Sequence, residues 1–239
     1  MAGGNYTALS GMRTQMDALD RLAGDIANVS TAGYKGERGA SIEAGRPTFD
    51  AALQSAVDVT PGPTRLDFRS GALATTGGNL DLAIEGNGFF VVDTPAGERY
   101  TRNGRLTRGA DGVLTTPEGF AIQGDSGSIS VGKGDVVVDS DGTVRHDGAV
   151  VGKVKVVEFD ENAKLVREES LAFRNDGSAP QDVDKPSIKA GALEQSNVSV
   201  VERMAELTTV ARSFEALQRA LSLLANDVDS RAITELGRR

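Results

Sequence analysis

Two apolar seams with a seven-residue repeat stand at opposite ends of this chain, and about 170 residues of a different character separate them. Near the start, Leu9, Met12, Met16, Leu19, Ala23 and Ile26 alternate steps of three and four, the a/d pattern of helices that pack side by side. Arg13, Asp17, Asp20 and Arg21 fall off that seam. The spacing predicts a helix over residues 5–28, about 35 Å long at ~1.5 Å per residue. Near the end, Leu207, Val210, Phe214, Leu217, Leu221, Leu224 and Val228 repeat the same steps. Ser199 with Glu202 three residues later is a capping box that opens this second helix, residues 200–236. Ala216, Ala220 and Leu223 widen its apolar side beyond what one partner helix covers, so either the middle of the chain or another subunit covers the excess. Gly11 and Gly24 each cost a helix about 1 kcal/mol relative to Ala. Simple tolerance and the close passage of another backbone both explain them.

Between the seams the chain reads as β-structure. Of 29 Gly, 22 lie in residues 36–190, and so do all seven Pro. Short runs such as "GFFVVD", "RYTRN", "DVVVD" and "VVGKVKVVEF" are rich in Val, Phe, Tyr and Thr. They are punctuated by Asn103-Gly104, Asp111-Gly112, Asp141-Gly142 and Asp147-Gly148, which predicts hairpins and meanders instead of βαβ units. Residues 36–75 hold Pro47, Pro61 and Pro63 with little periodicity, and read as an extended connector with room for a short helix at "TFDAALQSAV".

Charge follows the same division. The two ends are near neutral, while residues 36–190 carry 24 acids against 17 bases, nearly all of the net charge of −8. Such a middle does not suit nucleic acid or an anionic membrane surface. The absence of Cys rules out disulfides, thiolate catalysis and Cys-bound metal. No stretch approaches a membrane span, and "MAGGNYTALSGMRTQ" lacks the basic-then-apolar layout of a cleaved signal peptide.

Several stretches imitate catalytic or ligand motifs. Gly124-Asp125-Ser126-Gly127 looks like a serine-protease nucleophile segment, but His146, the sole imidazole, follows the Ser where that family places it before. Asp139-Ser140-Asp141-Gly142 hints at a Ca²⁺ loop, yet its Gly is fourth where an EF-hand needs the sixth, and Val150 occupies the twelfth place. Gly86-Asn87-Gly88 and Gly132-Lys133-Gly134 lack the third Gly and the helix of a dinucleotide loop. The last three read as turns, and the first is set aside as a protease site. Arg99, Arg102, Arg105 and Arg108 read as dispersed surface charge, and Glu168-Glu169 cannot be given acid and base roles from sequence. The chain is expected to be no enzyme, with no cofactor and no metal.

Three blocks remain: "DIANVSTAGYKG" after the first seam, "LDLAIEGNGFFVVDTPAGERYTRNGRLT" in the middle, and "AGALEQSNVSVVERMAELTTVARSFEALQRAL" at the close. In that order they resemble three signatures of the flagellar basal-body rod and hook proteins. Asp25 stands where that family often has Asn, and Ala32 where it often has Pro or Asn. The resemblance implies an α+β fold in which the N- and C-terminal helices pair as a coiled coil beside a central, mainly antiparallel β domain. The corresponding division is 1–35 and 191–239 for the inner helices, 36–75 for the connector and 76–190 for the outer β domain.

Function on this likeness is mechanical. Copies stack helically with one another and with other rod proteins, transmit torque between motor and hook, and surround an export channel. Asn28, Val29, Ser30, Thr31, Gly33 and Tyr34 then mark where the chain leaves the inner tube, and Ser196, Asn197 and Val198 where it returns. The short connector is similar to that of proximal rod members; distal rod members share the blocks. A β-rich binding module on a coiled-coil oligomerisation stem is the reading outside the family. A periplasmic rod in the basal body further implies passage through the flagellar type III export apparatus without a cleaved signal. Phe49 and Leu53 resemble the Phe-x-x-x-apolar element shown to the export gate, and equally suit one face of a short packed helix.

Overall fold

The computed structural model describes residues 2–39, 64–160, 163–168 and 171–236. Phe49 and Leu53 lie outside the described residues, as does most of the expected connector. The chain divides into two compact units, one made of Met1–Ala27, Glu37–Arg65 and Ser199–Arg239, the other of Asn28–Gly36 and Leu66–Val198.

The first unit is built on two long helices, α1 (Ala2–Ala27) and α2 (Val200–Leu236). α2 opens as its capping residues predict: Glu202 N donates to Ser199 Oγ at 3.4 Å, and Arg203 N to Ser199 O at 3.0 Å. The helices touch in antiparallel sense. Arg203 Nε makes an ion pair with Asp25 Oδ2 at 3.0 Å, and a Cβ built on Gly11 would stand 3.8 Å from Leu217 Cδ1. Fourteen residues back along α1 thus match fourteen forward along α2, two full heptads on each. That spacing is ordinary contact, so Gly11 is not forced by a close backbone, and nothing lies within 4 Å of a Cβ on Gly24.

The second unit is antiparallel in every pairing whose register is described. Its ten-stranded sheet turns on the strand Phe89–Thr94, which pairs with Gly97–Thr101, Ala121–Gly124 and Val156–Glu158. Successive side chains of a strand point to opposite faces, and here each face is covered. Phe90 enters a core with Leu82, Leu106, Leu114, Ile122 and Val144, while Phe89 and Val91 enter another with Tyr100, Val157 and Phe173. That explains why "GFFVVD" is apolar throughout instead of alternating.

Three of the four expected turns form hairpins. Asp147 and Gly148 both have positive φ, 48° and 83°, as a two-residue loop between twisted strands requires. Asp111-Gly112 and Asp141-Gly142 likewise join paired strands. Asn103-Gly104 does not. The strand Gly97–Thr101 pairs with Phe89–Thr94 and Ala172–Asn175 instead, and Asn103 Oδ1 bends the chain by accepting from Arg105 N at 3.2 Å.

Candidate functional site

The polar core of the β unit lies where residues 28–36 run beside residues 192–198. After α1 ends at Ala27, Thr31 N donates to Asn28 O at 3.1 Å and Tyr34 N to Thr31 O at 3.3 Å, turning the chain. Gly33 follows with φ +71° and donates its N–H to Glu194 O at 2.7 Å. A Cβ there would stand 2.3 Å from Asn103 N, so both the backbone angle and the space demand glycine. On the returning segment, Asn197 closes the arrangement. Its Oδ1 accepts from Gly36 N at 2.8 Å, and its Nδ2 donates to Asp67 O at 2.6 Å and Arg69 O at 3.0 Å. Val198 N donates to Ser196 Oγ at 3.2 Å.

Glu194 is the centre. One carboxylate oxygen accepts from Lys35 Nζ at 2.6 Å and Gly71 N at 2.8 Å; the other accepts from Arg102 Nη1 at 3.2 Å. All three side chains are essentially buried. Lys35 also donates to Arg69 O at 2.8 Å, and Arg102 Nη2 to Gly86 O at 2.9 Å. Arg102 stands over the Phe89 ring, 5.1 Å from its centroid. Burial lowers the pKa of Lys35 and of Arg102, and in each case the Glu194 carboxylate opposes that shift. Tyr34 is held alongside: Arg167 Nη1 donates to its Oη at 2.7 Å, lies 4.3 Å over its ring, and also bonds to Lys35 O.

Arg102 therefore corrects the reading of its arginine row as surface charge. It is buried, Arg99 is nearly so and pairs with Glu168 at 2.6 Å, and only Arg105 and Arg108 are exposed. Lys35 and Glu194 went unnoticed in the sequence although Lys35 is the only base of the first quoted block and Glu194 stands alone among the uncharged residues 190–201. That is the signal that could have found them: an isolated charge among small and apolar residues has to be answered by another.

Two of the look-alike motifs, Gly124–Gly127 and Asp139–Gly142, form turns. Ser126 sits in the hairpin joining Ala121–Gly124 to Gly127–Ser128, and Asp139 O accepts from Gly142 N at 3.0 Å. His146 Nε2 lies 3.6 Å from Asp147 Oδ2.

The helix seams are placed differently on the two helices. On α2, Leu207, Val210, Phe214 and Leu217 are half-buried between exposed neighbours. On α1, Met12, Leu19 and Ile26 are half-buried, but Met16 is 53% exposed and Ala23 is exposed. Among the described side chains of α1 the deepest are Leu22, 1% exposed, and the charged Asp25. Leu9 lies on α1, and Leu221, Leu224 and Val228 lie on α2.

These positions now meet the comparisons with known proteins. Residues 83–146 match the family described as Flagellar hook protein FlgE/F/G D1 domain, and residues 189–232 match Flagellar basal body rod FlgEFG protein C-terminal. The flagellar basal-body rod protein FlgF of Caulobacter vibrioides is 34% identical over 98% of this chain and 97% of its own length. The chain belongs to the flagellar basal-body rod protein family. Another FlgF, from Rhizobium meliloti, is 29% identical over 99% of both chains, and the FlgG of Bacillus subtilis is 32% identical over 91% of this chain and 93% of its own. In this rod-family member the three separated sequence blocks meet around Glu194 of the third: Lys35 of the first and Arg102 of the second donate to its carboxylate, and Gly33 N donates to its backbone O.

Proposed function

We propose that this chain is a structural subunit of the bacterial flagellar rod, of the proximal type, and that it acts by assembly instead of catalysis. The observation that carries this reading is similarity along nearly the full length of rod proteins, with FlgF relatives at 34% and 29% identity. α1 and α2 continue their antiparallel contact as a coiled coil, and copies of that pair stack helically with one another and with other rod proteins. The half-buried seam of α2 and the exposed Met16 support this, because apolar surface left over in one chain is available to neighbours. The 1–35 and 191–239 segments form the inner layer of the rod, residues 36–75 connect, and residues 76–190 face outward. Export proceeds through the flagellar type III apparatus without cleavage, with Phe49 and Leu53 as the element offered to its gate. The likeness to the Bacillus FlgG keeps a distal position as the second reading.

A complementation experiment tests it. Cells lacking the gene should regain basal bodies and motility with the wild-type chain, and should not with Phe214→Asp plus Leu221→Asp, while the β unit of the variant still folds. Recovery of motility by the double variant would remove α2 from the assembly. Exchanging Phe49 and Leu53 for Ala should lower the secreted fraction; unchanged secretion assigns those residues to packing.

A further inference from the structure

The chain passes between its two units at four places, after Ala27, Gly36, Arg65 and Val198. One side chain of the β unit stands at three of them. Asn197, one residue before the last, accepts from Gly36 N through Oδ1 at 2.8 Å, and its Nδ2 donates to Asp67 O at 2.6 Å and to Arg69 O at 3.0 Å. Gly36 closes one segment of the β unit and Leu66 opens the next, so these partners lie at the second and third crossings or just inside them. Backbone bonds join the same strands: Asp67 N donates to Gly36 O at 2.8 Å, and Asn197 N to Tyr34 O at 3.4 Å. A side-chain amide carries one acceptor oxygen and two N–H donors, and Asn197 uses both kinds at once. Asp, an acceptor only, keeps the bond from Gly36 N and loses the other two.

Position decides what such bonds do under force. A strand drawn from its end out of a sheet gives way one bond after another, whereas strands tied side by side have to give way together. A force that arrives along α2 meets Val198 first, and Val198 N is bonded to Ser196 Oγ at 3.2 Å, inside its own segment, so that bond passes nothing to a neighbouring strand. The next side chain is Asn197. We propose that Asn197 is the load-sharing tie of this junction: through its one amide, the strands that meet the helix unit at Gly36, Leu66 and Val198 resist a force together. Its use in transmitting torque rests on the rod-subunit reading, while the tie itself is a property of the single chain.

The chain has no Cys, so introduced pairs of Cys place the handles for single-molecule pulling on the full-length protein. Arg212→Cys with Ala96→Cys carries force across the junction, from an exposed position on α2 to the exposed turn between Phe89–Thr94 and Gly97–Thr101. Val150→Cys with Ala96→Cys keeps the force inside the β unit. Asn197→Ala removes three hydrogen bonds, and at a fixed force it should speed rupture across the junction on the order of a hundredfold while changing rupture within the β unit by less than about twofold. Ser196→Ala, which loses the bond from Val198 N, should leave both geometries near wild type. Equal acceleration in both geometries would make Asn197 a general contributor to stability, and unchanged rupture across the junction would take it out of the path of the force; either result overturns the proposal. If Asn197→Ala lacks the rupture of a folded β unit, Asn197→Asp is read in the same two geometries and by the same outcomes. None of this depends on assembly. Failure of the wild-type chain to restore basal bodies sinks the rod reading and leaves the tie standing, whereas equal acceleration sinks the tie and leaves the rod reading intact.

Discussion

The β unit and the helix unit solve opposite problems. In the β unit the central carboxylate is fully met: Glu194 accepts from Lys35, Arg102 and Gly71 N, and strands cover both faces of Phe89–Thr94. In the helix unit the described seam residues of α2, Leu207, Val210, Phe214 and Leu217, stay half-exposed, and Met16 is 53% exposed. One unit covers its sheet within a single chain; the other leaves apolar surface that the proposed assembly would cover. For a rod subunit that difference has a use. A self-sufficient β unit can fold before assembly, while helices that bury little alone have a reason to join a growing array.

Removing the central carboxylate breaks that comparison most severely. Glu194→Gln leaves Lys35 and Arg102 buried together without their counter-ion, and taking one partner from a buried ion pair costs about 3–5 kcal/mol. Denaturant unfolding of the β unit should show the loss. Replacing Lys35, Arg102 and Glu194 together by apolar residues of similar volume should recover most of it, since the net charge and its desolvation both disappear. A loss below about 1 kcal/mol for Glu194→Gln would place the stability of the junction in its backbone bonds alone.

The second test sharpens the contrast inside the helix unit. Leu22→Ala empties a fully buried site and should cost about 2–5 kcal/mol, whereas Met16→Ala should change the single chain by no more than about 0.5 kcal/mol. In the assembled rod the order should change, with Met16→Ala now weakening assembly. Thermal unfolding of the chain and sedimentation of the assembled form measure the two halves. Equal effects of Met16→Ala in both would remove Met16 from any contact between copies. Smaller than Leu22→Ala is Ser199→Ala, which withdraws the oxygen that caps α2 and should cost about 1 kcal/mol in the helix unit.

How much of this was legible before the structure depends on which force set each position. The α2 helix and its Ser199 cap were readable because periodicity and capping are local. On α1 the predicted seam sits beside the true inward edge, since Asp25 is buried against Arg203, and hydrophobic spacing does not register a buried carboxylate. The Asp-Gly turns were legible for the same local reason as the cap. Asn103-Gly104 failed because tertiary contacts overrode its turn preference: Leu82 N donates to Gly104 O at 2.9 Å, and a Cβ on Gly104 would stand 1.8 Å from Leu82 O. Lys35, Arg102 and Glu194 lie far apart in the chain, so their meeting could not be read from any one window. What did point to the site was the order of three blocks, each of which turns out to bring part of the same charge cluster.

A last expected effect concerns pH, and it separates two buried groups of the β unit by sign. Burial first, then Glu98, raise the Tyr100 phenol from its ordinary 10 to about 12. The folded state therefore holds this proton more tightly than the unfolded state. The stability it contributes is fully present below pH 10 and is lost as pH rises through about 12. Lys35 runs the other way. Its pKa is lowered by burial, so the unfolded chain binds the proton more tightly, and stability linked to Lys35 rises with pH toward its ordinary 10.5. The two contributions oppose each other in the alkaline range, and the wild-type profile alone cannot separate them. Tyr100→Phe can, because it deletes one and keeps the other. The stability of the wild type relative to Tyr100→Phe should be flat below pH 10 and should fall between 10 and about 12, in denaturant unfolding followed across that range. An ultraviolet difference titration of the two folded proteins should show the missing phenol ionising near 12, above the ordinary tyrosine range. A relative stability that stays constant through that window would mean that Tyr100 ionises alike in the folded and unfolded chains, and the aromatic core around Phe89, Phe159 and Phe173 would then be open to water at its Tyr100 edge.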